Sequence, residues 1–336
     1  VLTIQNYMSN YVLIIALLGA GLWFSFRLGF IQVRGFGEGM RRTFGGLFSK
    51  KGEAGADGMS SFQALATAIA AQVGTGNIAG AATALAIGGP GAIFWMWIAA
   101  FLGMATIYAE AIMAQKYKTV GADGQVTGGP VYYIRAAFKG TFGKVLAGIF
   151  AILITLALGF MGNAVQSNSI AASFHTAFGI PQWIMGLVVA VIAIFVFMGG
   201  MKRIAKVTET IVPFMAALYI IGSLIVIIYN YKNIPYAFAS IFIGAFSPSS
   251  VVGGAAGATV KLALTKGVAR GLFSNEAGMG STPHAHAVAK VDHPVEQGFV
   301  AMTGVFIDTF VVLNLTALVI LTTKSIPSGK IGRAHV

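Results

Sequence analysis

The sequence predicts an all-α membrane protein that crosses the bilayer several times. Of its 336 residues, 57% are hydrophobic and only 10% are charged, and the mean hydropathy is +0.81. A soluble domain carries about 25% charged residues, so this chain lacks the polar surface that it would need in water. Its 44 glycines fit the same class, because glycine lets transmembrane helices approach one another closely.

Eight apolar segments are long enough to cross about 30 Å of hydrocarbon. They lie at 9–31, 60–88, 90–115, 145–175, 181–200, 205–229, 234–260 and 296–322. When the loops are assigned to alternate sides, one side receives nearly all Lys and Arg residues up to residue 290, including those of a predicted loop at 261–294. The small and polar residues of GLFSNEAGMGSTPHAHAVAK indicate that this is an ordered re-entrant or packed loop. The positive-inside rule makes that side cytoplasmic, which places the N-terminus outside and sends the 60–88 span outward.

The first apolar segment predicts a retained helix. It is followed directly by Arg27 and Arg34, without the small-residue cleavage site of a signal peptide. The net charge of +12 arises from basic residues in short segments between spans, where they set topology. We therefore expect no binding of nucleic acid.

The second span is interrupted by QVGTGNIAG at 72–80. Gly, Thr and Asn are poor helix formers, so the backbone is expected to unwind here. Freed N–H groups of the second half can bind a carboxylate, and freed carbonyls of the first half can coordinate Na⁺. A glycine packing seam is the alternative, but it does not require the flanking amides of Gln72 and Asn77.

A second interruption is predicted five spans later, in GAFSPSSVVGGAAGA at 244–258. Pro248 removes a backbone donor there, and the side count makes this span antiparallel to 60–88. Two interrupted, antiparallel spans indicate an inverted repeat with a binding site between them. A simple proline kink is the alternative for this span.

Two carboxylates lie within apolar spans. Asp308 is in the body of the last one, beside Thr309, and carboxylates in lipid are costly and usually functional. A coupling role and a structural hydrogen bond are both open for Asp308. Glu110 is expected to be an interfacial residue near Lys116.

The sequence offers little support for enzymatic chemistry. His284 and His286 are two residues apart and diverge on a helix or strand, so no metal site is expected from them. The segment GTGNIAG lacks the Lys of a phosphate-binding loop and lies inside a span. We expect no enzyme; a channel or non-coupled pore for small solutes is the alternative to a transporter.

The segment GGPGAIFWMWIAAFLG at 88–103 resembles the signature of the alanine or glycine:cation symporter family. Four further blocks resemble that family in order: QVGTGNIAG at 72–80, GGPVYYI at 128–134, FSNEAGMGSTPHAHA at 273–287 and FIDTFVVLNLTALVIL at 306–321. The resemblance implies symport of alanine, glycine or a similar small neutral amino acid by alternating access. It also implies Na⁺ as the coupling ion, with H⁺ as the alternative, and no organic cofactor.

The family is similar in fold to the LeuT-type transporters, which implies two inverted five-helix repeats preceded by one extra helix. On that mapping, residues 1–330 form one transmembrane transporter domain. It divides into an extra helix at 9–31, a first repeat at 60–229 and an incomplete second repeat at 234–322. We expect the natural chain to continue beyond residue 330, and IGRAHV at 331–336 to be a non-native tail.

The resemblance assigns the substrate site to three helices. The expected substrate-binding residues are Gln72, Gly74, Thr75, Gly76 and Asn77 of the first core helix, Phe160 and Asn163 of the third, and Phe246, Ser247 and Ser249 of the sixth. The expected Na⁺ ligands are Thr75, Asn77, Asp308 and Thr309. The expected partners are a small neutral amino acid and the lipid bilayer of the inner (plasma) membrane; the oligomeric state is open.

Overall fold

A computed structural model describes residues 7–45, 60–122, 124–246 and 260–325 of the chain, and these are predominantly helical. The α-helices are α1 Leu13–Arg27, α2 Ile31–Arg34, α3 Phe36–Phe44, α4 Ser61–Gln72, α5 Ala81–Gly88, α6 Gly91–Lys116, α7 Pro130–Ala137, α8 Gly140–Ile154, α9 Asn163–Phe178, α10 Gln182–Phe197, α11 Gly200–Tyr229, α12 Ile234–Phe246, α13 Val260–Asn275, α14 Pro283–Val288, α15 Pro294–Phe306 and α16 Asn314–Thr322. Short π-helical segments at Met8–Val12, Gly76–Gly80, Thr155–Gly162 and Ile307–Leu313 continue directly into α1, α5, α9 and α16. A hairpin pairs β1 Thr119–Val120 with β2 Val126–Thr127.

Several of these helices suit a bilayer. Among the described residues, four continuous helical stretches are long and apolar enough to cross a membrane: Gly91–Lys116, Gly140–Phe178, Gly200–Tyr229 and Pro294–Thr322. Shorter apolar helices occur at Leu13–Arg27, Gly76–Gly88 and Gln182–Phe197. The predicted all-α membrane protein is confirmed at this level of detail.

The central helix α6 gives the bundle two ends. At its C-terminal end, Gln115 donates hydrogen bonds to the backbone oxygens of His286 at 2.5 Å and Ala289 at 2.8 Å. Arg42 bridges to Glu296 nearby at 2.8 Å. We call this the basic end, comprising residues 34–44, 115–118 and 286–296; the opposite end, comprising residues 88–92, 260–266 and 318–324, is the far end.

The short helix α3 is tied to the start of α15 at the basic end. Arg42 Nε lies 2.5 Å from Glu38 Oε1 while Arg42 also pairs with Glu296. Hydrogen bonds from Arg41 and Arg42 hold the pKa of Glu38 below its usual value. Helix α3 is therefore held against the bundle at this end.

The structure places a helix where the sequence predicted a cytoplasmic loop. Helix α13 runs parallel to α6: a Cβ atom added at Gly267 would lie 2.3 Å from Ala92 O, and one added at Gly271 would lie 3.2 Å from Met96 Cα. One added at Gly103 would lie 2.9 Å from Ala277 Cβ. The predicted loop at 261–294 is therefore wrong for its first half.

The error has a physical cause. Lys261, Lys266 and Arg270 lower the hydropathy of α13, so it does not read as an apolar span. The opposite face carries Ala263, Gly267 and Gly271, and these small residues allow close packing on α6. As a result, Lys261 and Lys266 lie at the far end, and Arg270 lies one helical turn further toward the centre of the bundle. None of the three lies at the basic end.

Helix α12 lies at the far end. Asn233, just before it, donates from Nδ2 to Thr322 O at 2.7 Å, and Gly244 near its C-terminus backs onto Gly91. Both of its ends therefore contact far-end residues, so the predicted span at 234–260 does not cross the bundle over its described part. The interruption predicted from Ser247 onward lies outside the described residues.

Candidate functional site

The helix break predicted at 72–80 is present. Helix α4 begins with a capping box, in which Ser60 Oγ accepts from Gln63 N and Gln63 Oε1 accepts from Ser60 N. It ends at Gln72, and Val73 has an extended backbone with φ −81° and ψ 99°. The helix resumes at Gly76, so N–H groups of the restarting turn lie outside the helical hydrogen-bond ladder.

Side-chain oxygens accept hydrogen bonds from two of the freed N–H groups. Gly74 N donates to Asn77 Oδ1 at 3.0 Å, and Thr75 N donates a longer bond to Gln166 Oε1 at 3.4 Å. Thr75 Oγ1 is buried and has no hydrogen-bond partner among the residues that the structure describes. The break therefore presents donors and an unused hydroxyl oxygen to the same small region.

Asn77 connects this break to the helix of Asp308. Its Nδ2 donates to Asp308 Oδ1 at 2.7 Å and to Asp308 O at 3.0 Å. Asn77, Asp308 and Thr309 are all fully buried. Asp308 and Thr309 belong to the π-helical segment at Ile307–Leu313, a local irregularity that is frequent at functional sites.

The Asp308 carboxylate is surrounded by hydroxyl and amide groups. Ser274 Oγ lies 3.2 Å and 3.1 Å from its two oxygens, and Thr309 Oγ1 donates to Oδ2 at 2.9 Å. In the part of the chain that the structure describes, no Lys, Arg or His forms an ion pair with it. A buried negative charge without a countercharge is costly, so this site favours a cation.

The partner of the first broken helix is α13 and the segment that follows it. Gln72 Nε2 donates to Asn275 O at 2.9 Å, and a Cβ atom added at Gly76 would lie 2.9 Å from Ser274 Cα. The contacts of Gly88 with Ala263 and of Gly76 with Ser274 show that the two helices are antiparallel.

The second helix is also interrupted. After Asn275, the backbone adopts positive φ at Glu276 (56°), Gly278 (86°) and Gly280 (81°), and helix resumes only at Pro283. Ser281 Oγ donates to Glu276 Oε2 at 2.5 Å within this segment. Two antiparallel interrupted helices therefore meet, and the second interruption among the described residues lies at 276–282. The interruption predicted within 244–258 lies outside the described residues from Ser247 onward.

Glu110 holds the second interruption in place. It is only 7% exposed, and Gly278 N donates to its Oε2 at 3.1 Å. The expectation that Glu110 is interfacial near Lys116 is wrong. Segment 276–282 packs within the bundle and covers this carboxylate, as expected for an ordered re-entrant or packed loop.

Two of the expected substrate-binding residues, Phe160 and Asn163, show no contact with the break among the described residues. Phe160 is 67% exposed, and Asn163 is exposed and bonds to Gly159 O within its own helix. Their part in a pocket stays a prediction. Gln166, one turn further along, is the residue of this helix that reaches Thr75.

Phe246 lies toward the far end. Its ring centroid is 4.9 Å from that of Phe94 and 6.2 Å from that of Trp95. About 12 Å of helix separate Trp95 from Gly103, which is beside Asn275. The structure therefore does not bring Phe246 to the break, while Ser247 and Ser249 lie outside the described residues.

Sequence reasoning missed Gln166, Ser274 and Asn275. A signal for the last two was present, because SNEAGMG at 274–280 combines an amide, a hydroxyl and closely spaced glycines as GTGN does at 74–77. Gln166 lies in a run of helical polar residues, QSNS at 166–169, from which no single member stands out.

Comparisons with known proteins agree with these features. The model of a family described as the sodium:alanine symporter family matches residues 1–335. The chain is 45% identical over 320 residues to the sodium/alanine symporter AgcS of Methanococcus maripaludis, covering 95% of this chain and 69% of that protein. It is 47% identical over 307 residues to the putative sodium/proton-dependent alanine carrier protein YrbD of Bacillus subtilis, covering 91% and 60%. It is 44% identical over 310 residues to the probable sodium/glutamine symporter GlnT of the same organism, covering 92% and 62%.

Proposed function

We propose that this chain, which belongs to the sodium:alanine symporter family, couples Na⁺ to alanine or glycine at the helix break beside Asp308. Its family makes it a cation-coupled amino-acid symporter rather than an enzyme. The observation that carries the proposal is the fully buried Asp308 carboxylate, which bonds to Asn77 of the broken helix and has no cationic partner among the described residues. The relatives are named for different substrates, alanine and glutamine. The proposal of alanine or glycine therefore rests on the geometry of the helix break.

The cation site uses oxygen atoms of the two segments that meet there. We assign Na⁺ to the Asp308 carboxylate, Thr309 Oγ1, Asn77 Oδ1 and the unpartnered Thr75 Oγ1. Hard cations take oxygen ligands, and unwound helix segments supply them in transporters. Na⁺ would offset the buried charge of Asp308 directly; a proton on the same carboxylate is the alternative.

The amino-acid site lies at the restart of the first broken helix. The substrate carboxylate would accept from the N–H groups around Thr75 and Gly76, where the helix dipole also favours negative charge. The weak bond from Thr75 N to Gln166 would give way to this stronger, charge-assisted one. Close contacts at Gly74 and Gly76 leave little room, which favours alanine and glycine over larger substrates.

Asn77 provides the coupling between the two sites. Its Oδ1 fixes Gly74 N at the break, while its Nδ2 bonds to Asp308. A cation that fixes Asp308 and Asn77 would therefore order the N–H groups that receive the substrate. A coupling of about 1–3 kcal/mol, typical of linked sites, would raise substrate affinity about 5- to 150-fold.

Alternating access would come from movement of the paired broken helices against the rest of the bundle. Their antiparallel contact supports an inverted repeat of the LeuT type, with a first repeat at 60–229 and part of a second at 234–322 within one transporter domain. The basic end carries six Lys and Arg residues and the far end three. The proposed topology therefore has the basic end in the cytoplasm and the N-terminus outside, in the inner (plasma) membrane.

The test is uptake of labelled alanine into proteoliposomes that contain the product of the complete open reading frame. An inward Na⁺ gradient is expected to drive accumulation above the external concentration, and collapse of that gradient with an ionophore is expected to abolish it. Accumulation driven by a proton gradient alone would replace Na⁺ by H⁺ at Asp308. Uptake that only equilibrates under both gradients would overturn the proposal and favour a non-coupled pore.

A further inference from the structure

A cavity of about 460 Å³ lies between α1, α5 and α13, on the far-end side of the site described above. Its lining includes Leu13 and Leu17 of α1, Ile87 of α5, and Lys266 and Arg270 of α13. Lys266 and Arg270 are one helical turn apart and both half-buried. The cavity therefore presents two adjacent positive charges between apolar walls.

Neither cation has a carboxylate partner in the portions of the chain that the structure describes. The third basic residue of this helix, Lys261, differs, because its Nζ bonds to Tyr11 Oη at 3.2 Å and lies over the Tyr11 ring. The sequence adjoining this region, at 1–6 and 247–259, contains no Asp or Glu. Half-buried charges without a partner are costly, so an anionic ligand would stabilise these two cations.

The position of these cations is also unusual for a membrane protein. Lys266 Cβ lies 3.3 Å from a Cβ atom added at Gly88, so Lys266 is at the far end, opposite the basic loops. Positive charge is depleted on that side under the positive-inside rule. The presence of Lys266 and Arg270 on that side of the bilayer therefore indicates an anionic ligand there.

The cavity is polar toward one end and apolar toward the other. The contact of Tyr11 with Lys261 marks its far-end side, and a Cβ atom added at Gly278 would lie 2.5 Å from Leu17 Cδ2, toward the centre of the bundle. Lys266 and Arg270 lie between these levels, whereas Phe273 and Met279 line the deeper part. The positively charged part of the cavity matches the anionic headgroup of a lipid, and the deeper apolar part matches an acyl chain.

We propose that this cavity binds an anionic phospholipid of the outer leaflet, with its phosphate on Lys266 and Arg270 and one acyl chain along Leu17 and Phe273. Arg and Lys are the side chains that bind phosphate groups by charge-assisted hydrogen bonds. A free amino acid would need a polar contact at the deeper end for its ammonium group, and the lining there is apolar. The site is therefore separate from the one beside Asp308, and it joins α1 to both broken helices.

The test is lipid binding to the delipidated protein in detergent, measured by native mass spectrometry. The probes are phosphatidylglycerol, phosphatidylcholine with the same chains, glycerol 3-phosphate and alanine. The double variant Lys266→Gln/Arg270→Gln is compared with Lys139→Gln/Lys144→Gln, which removes two exposed charges elsewhere. Phosphatidylglycerol is expected to bind more tightly than phosphatidylcholine, and the first double variant is expected to weaken it roughly 30-fold, about fivefold per cation.

The control variant Lys139→Gln/Lys144→Gln is expected to bind like the wild type. If the variant Lys266→Gln/Arg270→Gln fails to fold, the charge-preserving variant Lys266→Arg is tested in its place and is expected to keep phosphatidylglycerol binding. Equal binding of the two lipids by the wild type would overturn the proposal, as would unchanged binding in the double variant. Equally tight binding of glycerol 3-phosphate would make the cavity a free-anion site. Displacement of lipid by alanine would make it a substrate vestibule.

Discussion

Asn77 uses both hydrogens of its side-chain amide on one residue, Asp308, whose backbone oxygen and carboxylate lie 3.0 Å and 2.7 Å from Asn77 Nδ2. Its remaining polar atom, Oδ1, accepts from Gly74 N. One buried amide therefore fixes both the break of the first helix and the irregular turn of the last. A ligand that moves the Asp308 carboxylate would therefore act on the backbone at Gly74 through the Asn77 side chain.

Replacing Asn77→Ala is expected to lower both stability and Na⁺ affinity. The change leaves Gly74 N without its acceptor and removes one donor from the Asp308 carboxylate, which keeps its bonds from Ser274 and Thr309. A buried unsatisfied group costs about 1–3 kcal/mol. Thermal unfolding in detergent and Na⁺-dependent alanine binding measure the two effects.

The matched control is Asn163→Ala. Asn163 is exposed and bonds only to Gly159 O in its own helix, so the change in stability is expected to stay within about 0.5 kcal/mol. If Asn163→Ala abolished alanine binding while Asn77→Ala did not, the site would lie on α9 and not at the break.

Replacing Asp308→Asn is expected to weaken the Na⁺ binding that supports alanine binding. Asn has the same shape and keeps an acceptor for Asn77, so the fold is expected to survive while the charge that attracts the cation is lost. The Na⁺ concentration for half-maximal alanine binding is expected to rise more than tenfold, equivalent to about 1.4 kcal/mol.

Asp292→Asn removes a carboxylate from an exposed loop residue and serves as the comparison for that experiment. It is expected to leave the Na⁺ dependence unchanged. Unchanged Na⁺ dependence in Asp308→Asn would show that the cation binds elsewhere.

The first half of this site could be predicted from sequence because its signal is local. Gly74 and Gly76 are poor helix formers inside an apolar run, and Asn77 has no reason to lie in lipid unless it bonds to something. Asp308 was singled out separately, because a carboxylate within a span is costly. Their direct contact could only come from the fold, since 231 residues separate them.

The second half could not be placed from sequence because the signal there depends on packing. Helix α13 contains Lys261, Lys266 and Arg270, so its hydropathy is that of a loop although its other face is buried against α6. Pro248 and the glycines at 253 and 254 gave a clearer local signal for the interruption predicted within 244–258, which lies outside the described residues from Ser247 onward. Hydropathy averages both faces of a helix, and this helix has two very different faces.

Replacing Gly76→Ala is expected to prevent the close approach of the two broken helices. The added Cβ would lie 2.9 Å from Ser274 Cα, a backbone atom that cannot move without shifting α13. Alanine binding is expected to fall more than tenfold, as measured by equilibrium binding of the labelled amino acid.

Gly186→Ala is the control for this change because nothing lies within 4 Å of a Cβ atom added there. In a helix interior it is expected to stabilise the protein by up to about 1 kcal/mol and to leave alanine binding intact. Normal binding in Gly76→Ala would contradict the close contact seen between Gly76 and Ser274.

Replacing Gln72→Leu is expected to loosen the second interruption without unfolding the bundle. The change removes the donor to Asn275 O, a fully buried carbonyl at the point where α13 ends. An opening free energy lower by about 1–2 kcal/mol would make amide hydrogens of residues 275–282 exchange roughly 5- to 30-fold faster. Hydrogen exchange with mass spectrometry measures this, with Gln182→Leu, an exposed glutamine at the start of α10, as the control. Faster exchange throughout the chain would indicate general destabilisation, whereas no change at 275–282 would show that Gln72 does not hold the two broken helices together.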